Sequence, residues 1–209
     1  MTAGRRDEVA QRSPSRALSD FPRRSVSRGC LWYRNHGPLG PWFYASGATG
    51  RFNLDSPRGT LYLADDPVAA IKEFVGPEMA RNQYPIPSSV VADRYVSTLE
   101  LQETVSAAKL TDPRADQWGV VPGELPAMSP YDLPREWATA FYDSGFDGIW
   151  TTLRYSSPDR RGLAVFGEAG ARPQWPQGTR ETARKVLEDA HYQVVDPPST
   201  TGLAWTSAS

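Results

Sequence analysis

The sequence predicts an α+β fold, a single domain in which helices flank a mixed, mostly antiparallel β-sheet. Strand-like segments and segments with helical spacing are interspersed, without the regular strand–helix–strand alternation of a parallel sheet. The 209 residues suit one domain of ordinary size, and the chain contains no internal repeat. Hydrophobic residues make up 39% of the chain, which is enough for a packed core.

The overall composition argues against several classes of function. A net charge of −1 gives no sign of a polyanionic partner, so direct nucleic-acid binding is not expected. No apolar run approaches the roughly 18 residues of a membrane helix, so no membrane association is expected. One cysteine excludes an internal disulfide and favours the reducing cytoplasm, and one cysteine with two histidines does not predict a metal site.

The two ends of the chain differ in composition from its centre. Residues 1–28 are rich in Arg and Ser and poor in large apolar residues, which predicts a flexible N-terminal segment. Its arginines could contact nucleic acid, but a loose segment is the favoured interpretation. The domain is therefore expected over residues 29–196, with a loose C-terminal tail at 197–209.

The first half of the domain begins with a strand, a long loop and a second strand. The segment CLWYRN predicts a strand at 30–35, and TLYLA predicts another at 60–64. The loop between them starts with the Gly/Pro-rich stretch 36–50. A purely solvated loop would seldom carry the consecutive aromatic residues WFY of 42–44, so they should pack down or line a site.

A helix should follow the second strand directly. Asp65 or Asp66 can cap it, and Pro67 suits its first turn. Apolar residues recur at helical spacing over 67–74. Glu73 lies off the centre of this apolar stripe, so it faces either water or the rim of a cleft.

The second half carries the remaining elements. Alternation within 90–103 predicts a strand, whereas 104–133 is rich in Pro and Asp and is left without an assignment. The later patterns predict a helix, two strands, a helix and a last strand, at 134–145, 146–153, 162–167, 179–192 and 193–196.

The residue types that remain for chemistry are Arg, Tyr, Glu and hydroxyls. No glycine-rich phosphate loop joins a strand to a helix, and no G-x-S-x-G nucleophile motif occurs. Arg pairs with phosphate, Tyr stacks on a flat ring, and a carboxylate can grip ribose hydroxyls and stabilise charge at an anomeric carbon. Together these roles describe cleavage of an N-glycosidic bond in a dinucleotide.

Four motifs carry a resemblance to a known family. They are LWYRN (31–35), GRFN (50–53), GTLYLADDPVAAIKEF (59–74) and FDGIWTTLRYSSPDRRGLAVFG (146–167). In order and spacing, over roughly residues 31–168, they resemble the RES domain family, named for an Arg, a Glu and a Ser. The resemblance implies a fold similar to ADP-ribosyltransferases and an enzyme that degrades NAD⁺ by phosphorolysis or hydrolysis, releasing nicotinamide.

The resemblance also implies partners and ligands. Many members are toxins of bacterial toxin–antitoxin pairs, neutralised by a helical DNA-binding antitoxin. NAD⁺ is then a substrate and no cofactor is implied, with inorganic phosphate as co-substrate if the reaction is phosphorolysis. Two other functions fit the same site, an ADP-ribosyltransferase that modifies a protein and an inactive NAD-binding paralogue.

The family residues fall on four positions of this chain. The family Arg matches Arg34, and Arg51 matches a second recurrent arginine. Tyr62 matches the strand tyrosine, and Glu73 matches the family glutamate. The resemblance implies that the arginines bind the NAD diphosphate, that Tyr62 packs on nicotinamide or its ribose, and that Glu73 holds the ribose and stabilises an oxocarbenium-like transition state.

Two positions depart from the family pattern. An ungapped match puts Leu153 at the serine, whereas a short gap brings Ser156 into register, and Ser156 is the favoured hydroxyl. Thr152 is an alternative surrogate, and a site without the hydroxyl is another. Asn35 stands where an aromatic residue often follows the family Arg, and one of residues 42–44 would then supply the missing ring.

Overall fold

The computed structural model of the chain describes residues 10–82 and 85–197. Its strands in chain order are β1 (Arg23–Val26), β2 (Leu31–His36), β3 (Phe43–Tyr44), β4 (Arg58–Ala64), β5 (Ile86–Pro87), β6 (Tyr95–Glu100), β7 (Val105–Lys109), β8 (Gly148–Thr152), β9 (Arg161–Glu168), β10 (Gly170–Ala171), β11 (Arg180–Thr182) and β12 (Val194–Val195). Its helices are α1 (Pro67–Asn82), α2 (Ser88–Val91), α3 (Asp132–Asp143) and α4 (Ala183–Asp189), with 3₁₀ turns at Pro113–Trp118 and Leu125–Ala127.

Eight of the described strands form one sheet, in the order β1-β7-β8-β9-β4-β2-β6-β11. Neighbouring strands are antiparallel except β7 and β8, which are parallel. Two small ribbons accompany it, β3 with β10 and β5 with β12. The sheet is therefore mixed and mostly antiparallel, and the α+β prediction is confirmed.

Side chains alternate between the two faces of the sheet, as β4 illustrates. Leu61 and Leu63 join a cluster on one face with Trp42 and Tyr44 from the β3 ribbon. Tyr62 points to the other face. That second face carries two separate helical clusters, one around α3 and one around α1 and α4. The boundary between those two clusters is where a cavity can form.

Residues 10–28 do not form the flexible segment expected from their composition. Leu18 and Phe21 are buried in the cluster around α3, and β1 pairs with β7. The side chain of Gln11 donates to the carbonyl of Gly119 at 2.9 Å and accepts from the N–H of Val121 at 2.7 Å. A few well-placed residues thus anchor a polar segment, so the expected boundary at residue 29 is wrong. Residues 1–9 and 198–209 lie outside the described residues.

Helix α1 is twice as long as its sequence pattern indicated. Asp66 caps it, because its Oδ1 accepts from the N–H of Ala69 at 2.8 Å. The apolar pattern predicted a helix over 67–74, yet α1 runs through Pro77 to its end at Asn82. Pro77 lacks the N–H that would donate to the carbonyl of Glu73. Burial on the α4 side, where Val75 is fully buried, offsets that loss.

The last predicted helix begins later than expected. The pattern predicted a helix over 179–192, but residues 180–182 form the edge strand β11 beside β6. The hydroxyl of Thr182 then caps α4 by accepting from the N–H of Lys185 at 3.3 Å. Pairing with the sheet edge therefore overrides local helix propensity. The predicted last strand is present as β12.

Candidate active site

A pocket of about 400 Å³ opens where β2 and β4 separate beneath α1. β4 pairs with β9 along all of its length, but with β2 at a single position, Tyr33 opposite Ala64. Arg34 and Asn35 of β2 and Tyr62 of β4 line the pocket from either side of this separation. The two strands are neighbours inside the sheet but pair at only one position, which leaves room for side chains and a ligand.

The floor of the pocket is one row of residues across four neighbouring strands. The register aligns Thr151, Gly162, Ala64 and Tyr33, from β8 through β9 and β4 to β2. All four line the pocket, and the small residues occupy the middle of the row. Three strand spacings amount to about 14 Å, so this floor suits an elongated ligand.

The glycine in this row adds space to the floor. A Cβ on Gly162 would lie 2.7 Å from Cδ2 of Leu153, which packs across the row. The small residues Gly162 and Ala64 therefore keep the centre of the floor open.

Arg34 lies in the separation between β2 and β4. Burial lowers the pKa of its guanidinium to about 10, and both Tyr44 and Tyr62 are close enough to interact with its charge. Those two tyrosines belong to clusters on opposite faces of the sheet, so the guanidinium lies between the two hydrophobic clusters. It remains cationic at neutral pH. Its Nη1 is buried and makes no hydrogen bond with any described residue.

Tyr62 fixes the loop that carries Arg51. Its hydroxyl accepts from the N–H of Phe52 at 2.8 Å and donates to Oδ1 of Asn53 at 2.9 Å. Two residues earlier on β4, the hydroxyl of Thr60 donates to the carbonyl of Phe52 at 2.8 Å. Burial raises the pKa of Tyr62, so its hydroxyl stays protonated. The GRFN and TLYLA motifs are thus one structural unit.

Arg51 points from this loop into the pocket. Its Nε donates to the carbonyl of Met128 at 3.3 Å, and its guanidinium lies 5.2 Å from the centroid of the Tyr131 ring. The aromatic face and the carbonyl orient the guanidinium while leaving its terminal nitrogens for other partners.

Glu73 lies on α1 and faces the pocket. Its Oε1 accepts from the N–H of Tyr155 at 2.8 Å. Burial raises the pKa of the Glu73 carboxyl above its ordinary value, while the N–H donors of Tyr155 and Arg154 and the guanidiniums of Arg51 and Arg154 act in the opposite direction. Of the two positions open to Glu73, the cleft is therefore the observed one.

The loop after β8 closes the pocket against α1. The Tyr155 ring lies directly on the helix at Gly76, where a Cβ would be 2.2 Å from the ring Cγ. At the other end of the loop, Arg160 forms an ion pair of 3.3 Å with Asp66. The loop is thus attached to the beginning of α1 and to its middle, beside Glu73.

Ser156 is the predicted site residue that the structure leaves apart. Arg34, Arg51, Tyr62 and Glu73 all line the pocket, and Ser156 does not. Arg154 and Tyr155 still line the pocket and Ser156 does not, so the structure does not support the prediction of Ser156 as the site hydroxyl. Thr151, Thr152 and Leu153 line the pocket instead.

The aromatic residues of 42–44 do not supply the missing ring. Trp42 and Tyr44 are buried on the opposite face of the sheet, where the Trp42 ring packs edge-to-face on Trp175 with centroids 5.0 Å apart. That hypothesis is wrong, because the β3 ribbon crosses the far side of the sheet. The aromatic residues that line the pocket are Tyr33, Phe52, Tyr62, Phe74, Tyr131 and Tyr155.

Several residues of the pocket were not among the predicted site residues. Thr151, Arg154 and Tyr155 lie inside the motif 146–167 that carries the family resemblance, and all three line the pocket. Tyr131 comes from the segment 104–133, which carried no pattern that pointed to a site.

Neither a metal site nor a membrane span is found in the described part of the chain. Within residues 10–82 and 85–197, no three metal-binding side chains come together. None of the described helices has the length and apolar character needed to cross a bilayer.

Comparisons with known proteins identify a family and a similar fold. The family model for the RES domain matches residues 22–200. A chain in the crystal structure of the M. tuberculosis MbcT–MbcA toxin–antitoxin complex has a similar fold, with a TM-score of 0.58 and 18% identity over 78% of this chain and 90% of that chain. No curated protein matches the sequence.

Proposed function

The chain belongs to the RES domain family, as its motifs predicted, and we propose that it cleaves the nicotinamide–ribose bond of NAD⁺. One observation carries the proposal, which is that Arg34, Arg51, Tyr62 and Glu73 line a single elongated pocket. Two guanidiniums, a carboxylate and aromatic rings suit a ligand with a diphosphate, a ribose and flat bases.

Binding would begin with the arginines. Arg34 has a buried N–H donor that no described residue uses, and an anionic oxygen would satisfy it. Arg51 is already oriented by Met128 and Tyr131, so little side-chain freedom is lost when it binds a phosphate. We assign both to the diphosphate of NAD⁺.

Glu73 would act at the reacting carbon. Its Oε1 is held by the Tyr155 N–H, and the remaining lone pairs of the carboxylate can accept from the ribose hydroxyls. As the bond between C1′ and nicotinamide breaks, its electron pair stays on the ring nitrogen, and nicotinamide leaves as a neutral molecule. Positive charge then develops on the ribose, and the nearby carboxylate stabilises it.

The acceptor completes the reaction. An oxygen of inorganic phosphate or of water bonds to C1′, and water loses its second proton to solvent. Arg154, which is not assigned to the diphosphate, lies close enough to Glu73 to affect its pKa, and its charge would attract a phosphate ion. This observation favours phosphorolysis over hydrolysis.

The test is consumption of NAD⁺ by purified protein, with and without inorganic phosphate, with the products separated by chromatography. Phosphate-dependent release of nicotinamide would identify a phosphorylase, and release without phosphate a hydrolase. Label from NAD⁺ on a protein band would indicate ADP-ribosyl transfer. Failure to release nicotinamide in both conditions would refute the proposal.

Glu73→Gln is the matched variant for the proposed chemistry. It keeps the size and the acceptor for Tyr155 but removes the charge, so turnover should fall at least about 100-fold with little change in NAD⁺ binding. Glu78→Gln, on the same helix but outside the pocket lining, should behave like the wild type. Unchanged turnover in Glu73→Gln would remove Glu73 from its assigned role.

We also propose that the protein acts in the cytoplasm as the toxin of a toxin–antitoxin pair, with a helical DNA-binding protein as its antitoxin. Family membership supports this, and the chain of similar fold comes from a toxin–antitoxin complex. Expression in bacteria should then deplete NAD⁺ and arrest growth, and Glu73→Gln should abolish both effects. Arrest by Glu73→Gln equal to that of the wild type would separate toxicity from NAD⁺ cleavage.

A further inference from the structure

Thr151 presents a buried hydroxyl that the protein does not use. The residue is only 6% exposed, and it lines the pocket. Its Oγ1 is buried and has no hydrogen-bond partner among the described residues. Buried hydroxyls in folded proteins nearly always have a partner, and one left without costs stability. A ligand atom is the partner that its position suggests.

Thr151 is connected to Glu73 through the loop that follows β8. Thr151 is close to the end of β8, and the chain continues directly into the loop that Glu73 holds through the N–H groups of Arg154 and Tyr155. Thr151 is also the β8 member of the floor row, beside Gly162. Thr151 and Glu73 line one pocket, so a single ligand can contact both side chains.

Strand alternation separates Thr151 from its neighbour Thr152. Ile149 and Thr151 point to the face that carries the helices, and Ile149 is buried in the cluster around α3. Trp150 and Thr152 point to the other face, where the Trp150 ring packs edge-to-face on Trp32 with centroids 5.6 Å apart. Thr152 therefore reaches the pocket only at the end of its strand.

The other candidate hydroxyl is also less well placed. The Oγ of Ser156 is buried and has no partner among the described residues, but Ser156 does not line the pocket. Leu153 does line the pocket, on the same strand face as Thr151, and its side chain cannot form a hydrogen bond. The pocket thus has an apolar residue at the ungapped serine position and a hydroxyl two residues before it.

We infer that the Thr151 hydroxyl forms a hydrogen bond with the ribose of the nucleotide substrate, next to the bond that is cleaved. The inference rests on the proposed function. Leu153 cannot form this hydrogen bond. Thr151, two residues earlier on the same face, then supplies the hydroxyl in its place. It is a substrate contact that orients the ribose against Glu73, and it takes no proton in the reaction.

The test compares Thr151→Val, which removes the hydroxyl at nearly constant volume, with Thr151→Ser, which keeps it. Because the hydroxyl has no partner in the free protein, Thr151→Val should leave the melting temperature unchanged or raise it. The same variant should lower kcat/KM for NAD⁺ about tenfold and reduce the NAD⁺-induced rise in melting temperature. Thr151→Ser should stay within about threefold of the wild type in kcat/KM.

Thr98→Val serves as the control for loss of a strand threonine hydroxyl that does not line the pocket. Thr98 shares a hydrogen bond of 2.9 Å with Thr179 on the edge of the sheet, so this variant should lose some stability and keep its kcat/KM. A structural role for Thr151 predicts the reverse of our expectation, with lower stability in the free protein. That result would overturn the inference.

The outcomes also separate this inference from the proposed function. If the wild type releases nicotinamide and Thr151→Val matches it, the inference fails and the function stands. The inference also fails if kcat/KM for NAD⁺ falls in Thr152→Val or Ser156→Ala and not in Thr151→Val. If the wild type binds NAD⁺ without cleaving it, the function fails, and weaker binding by Thr151→Val would still support the contact. A wild type that neither binds nor cleaves NAD⁺ refutes both.

Discussion

Replacing Tyr62 by Phe tests whether this tyrosine holds the arginine loop. The change keeps the ring and removes only the hydroxyl. That hydroxyl makes two hydrogen bonds, one from the N–H of Phe52 and one to Oδ1 of Asn53. Phe52 is 3% and Asn53 1% exposed, so water cannot readily replace the lost partner. The variant leaves a buried donor and a buried acceptor unsatisfied.

The size of the effect follows from those two bonds. At about 1–1.5 kcal/mol for each buried hydrogen bond, the free energy of unfolding should fall by about 2–3 kcal/mol. For a chain of this length that corresponds to a drop in melting temperature of about 5–10 °C. The loop carrying Arg51 should also become more mobile, so KM for NAD⁺ should rise more than kcat falls.

Urea unfolding at constant m-value and steady-state NAD⁺ kinetics measure both effects. Tyr142→Phe is the matched control, since its ring packs on Phe166 with centroids 6.0 Å apart and no hydrogen bond of its hydroxyl is found within the described residues. It should change the free energy of unfolding by no more than about 0.5 kcal/mol. If Tyr62→Phe is no less stable than Tyr142→Phe, Tyr62 does not anchor the loop and the reasoning is wrong.

Two further predictions concern Glu73 and the helix that carries it. In Gly76→Ala the new Cβ would meet the Tyr155 ring at 2.2 Å, so the loop must move away from α1; turnover of NAD⁺ should fall, and Gly76→Ala/Tyr155→Ala should recover the stability that the single variant loses. Equal activity of Gly76→Ala and the wild type would show that the loop position is unimportant. Burial raises the pKa of Glu73 above its ordinary value of 4.5, so the folded protein binds the proton more tightly than the unfolded chain. Its contribution to stability is therefore fully present below about pH 4.5 and is lost as pH rises towards the raised pKa. The melting temperature of Glu73→Gln relative to the wild type should rise across that window, and a difference that is constant with pH would contradict the direction of the shift.

The pocket derives from features that act together over long sequence distances. Arg51 is oriented by Tyr131, its loop is held by β4, and Glu73 is held by the loop after β8. A substitution that breaks any one of these contacts should therefore change more than one kinetic parameter, because each contact helps to position several residues of the pocket.

Much of this protein could be predicted from local patterns. The mixed, mostly antiparallel sheet followed from short strand-like segments without regular alternation of helices. The position of Glu73 off the apolar stripe of α1 left it open to a cleft, and the motif order brought Arg34, Arg51 and Tyr62 into the same hypothesis. The fold prediction is confirmed because side-chain periodicity is a property of the chain itself. The site residues were grouped by the family resemblance, and the structure places the four of them around one pocket.

Other features were decided only by contacts between distant segments. The anchoring of Gln11 depends on the backbone at 119–121, about 110 residues away, which no local composition could indicate. The continuation of α1 through Pro77 depends on burial against α4. In both cases the stabilising partner comes from another part of the chain, so the local signal pointed the wrong way.

The site hydroxyl shows most clearly what the sequence determined and what only the tertiary structure decided. The sequence by itself determined that the motif 146–167 contains several hydroxyl residues, and it favoured Ser156 over Thr152, whereas Thr152 lines the pocket and Ser156 does not. Only the register of β8 with β9 aligned Thr151 with Gly162 and the rest of the pocket floor. The reason is geometric, since a shift of one residue moves a strand side chain to the opposite face, and only pairing with neighbouring strands sets which face meets the pocket.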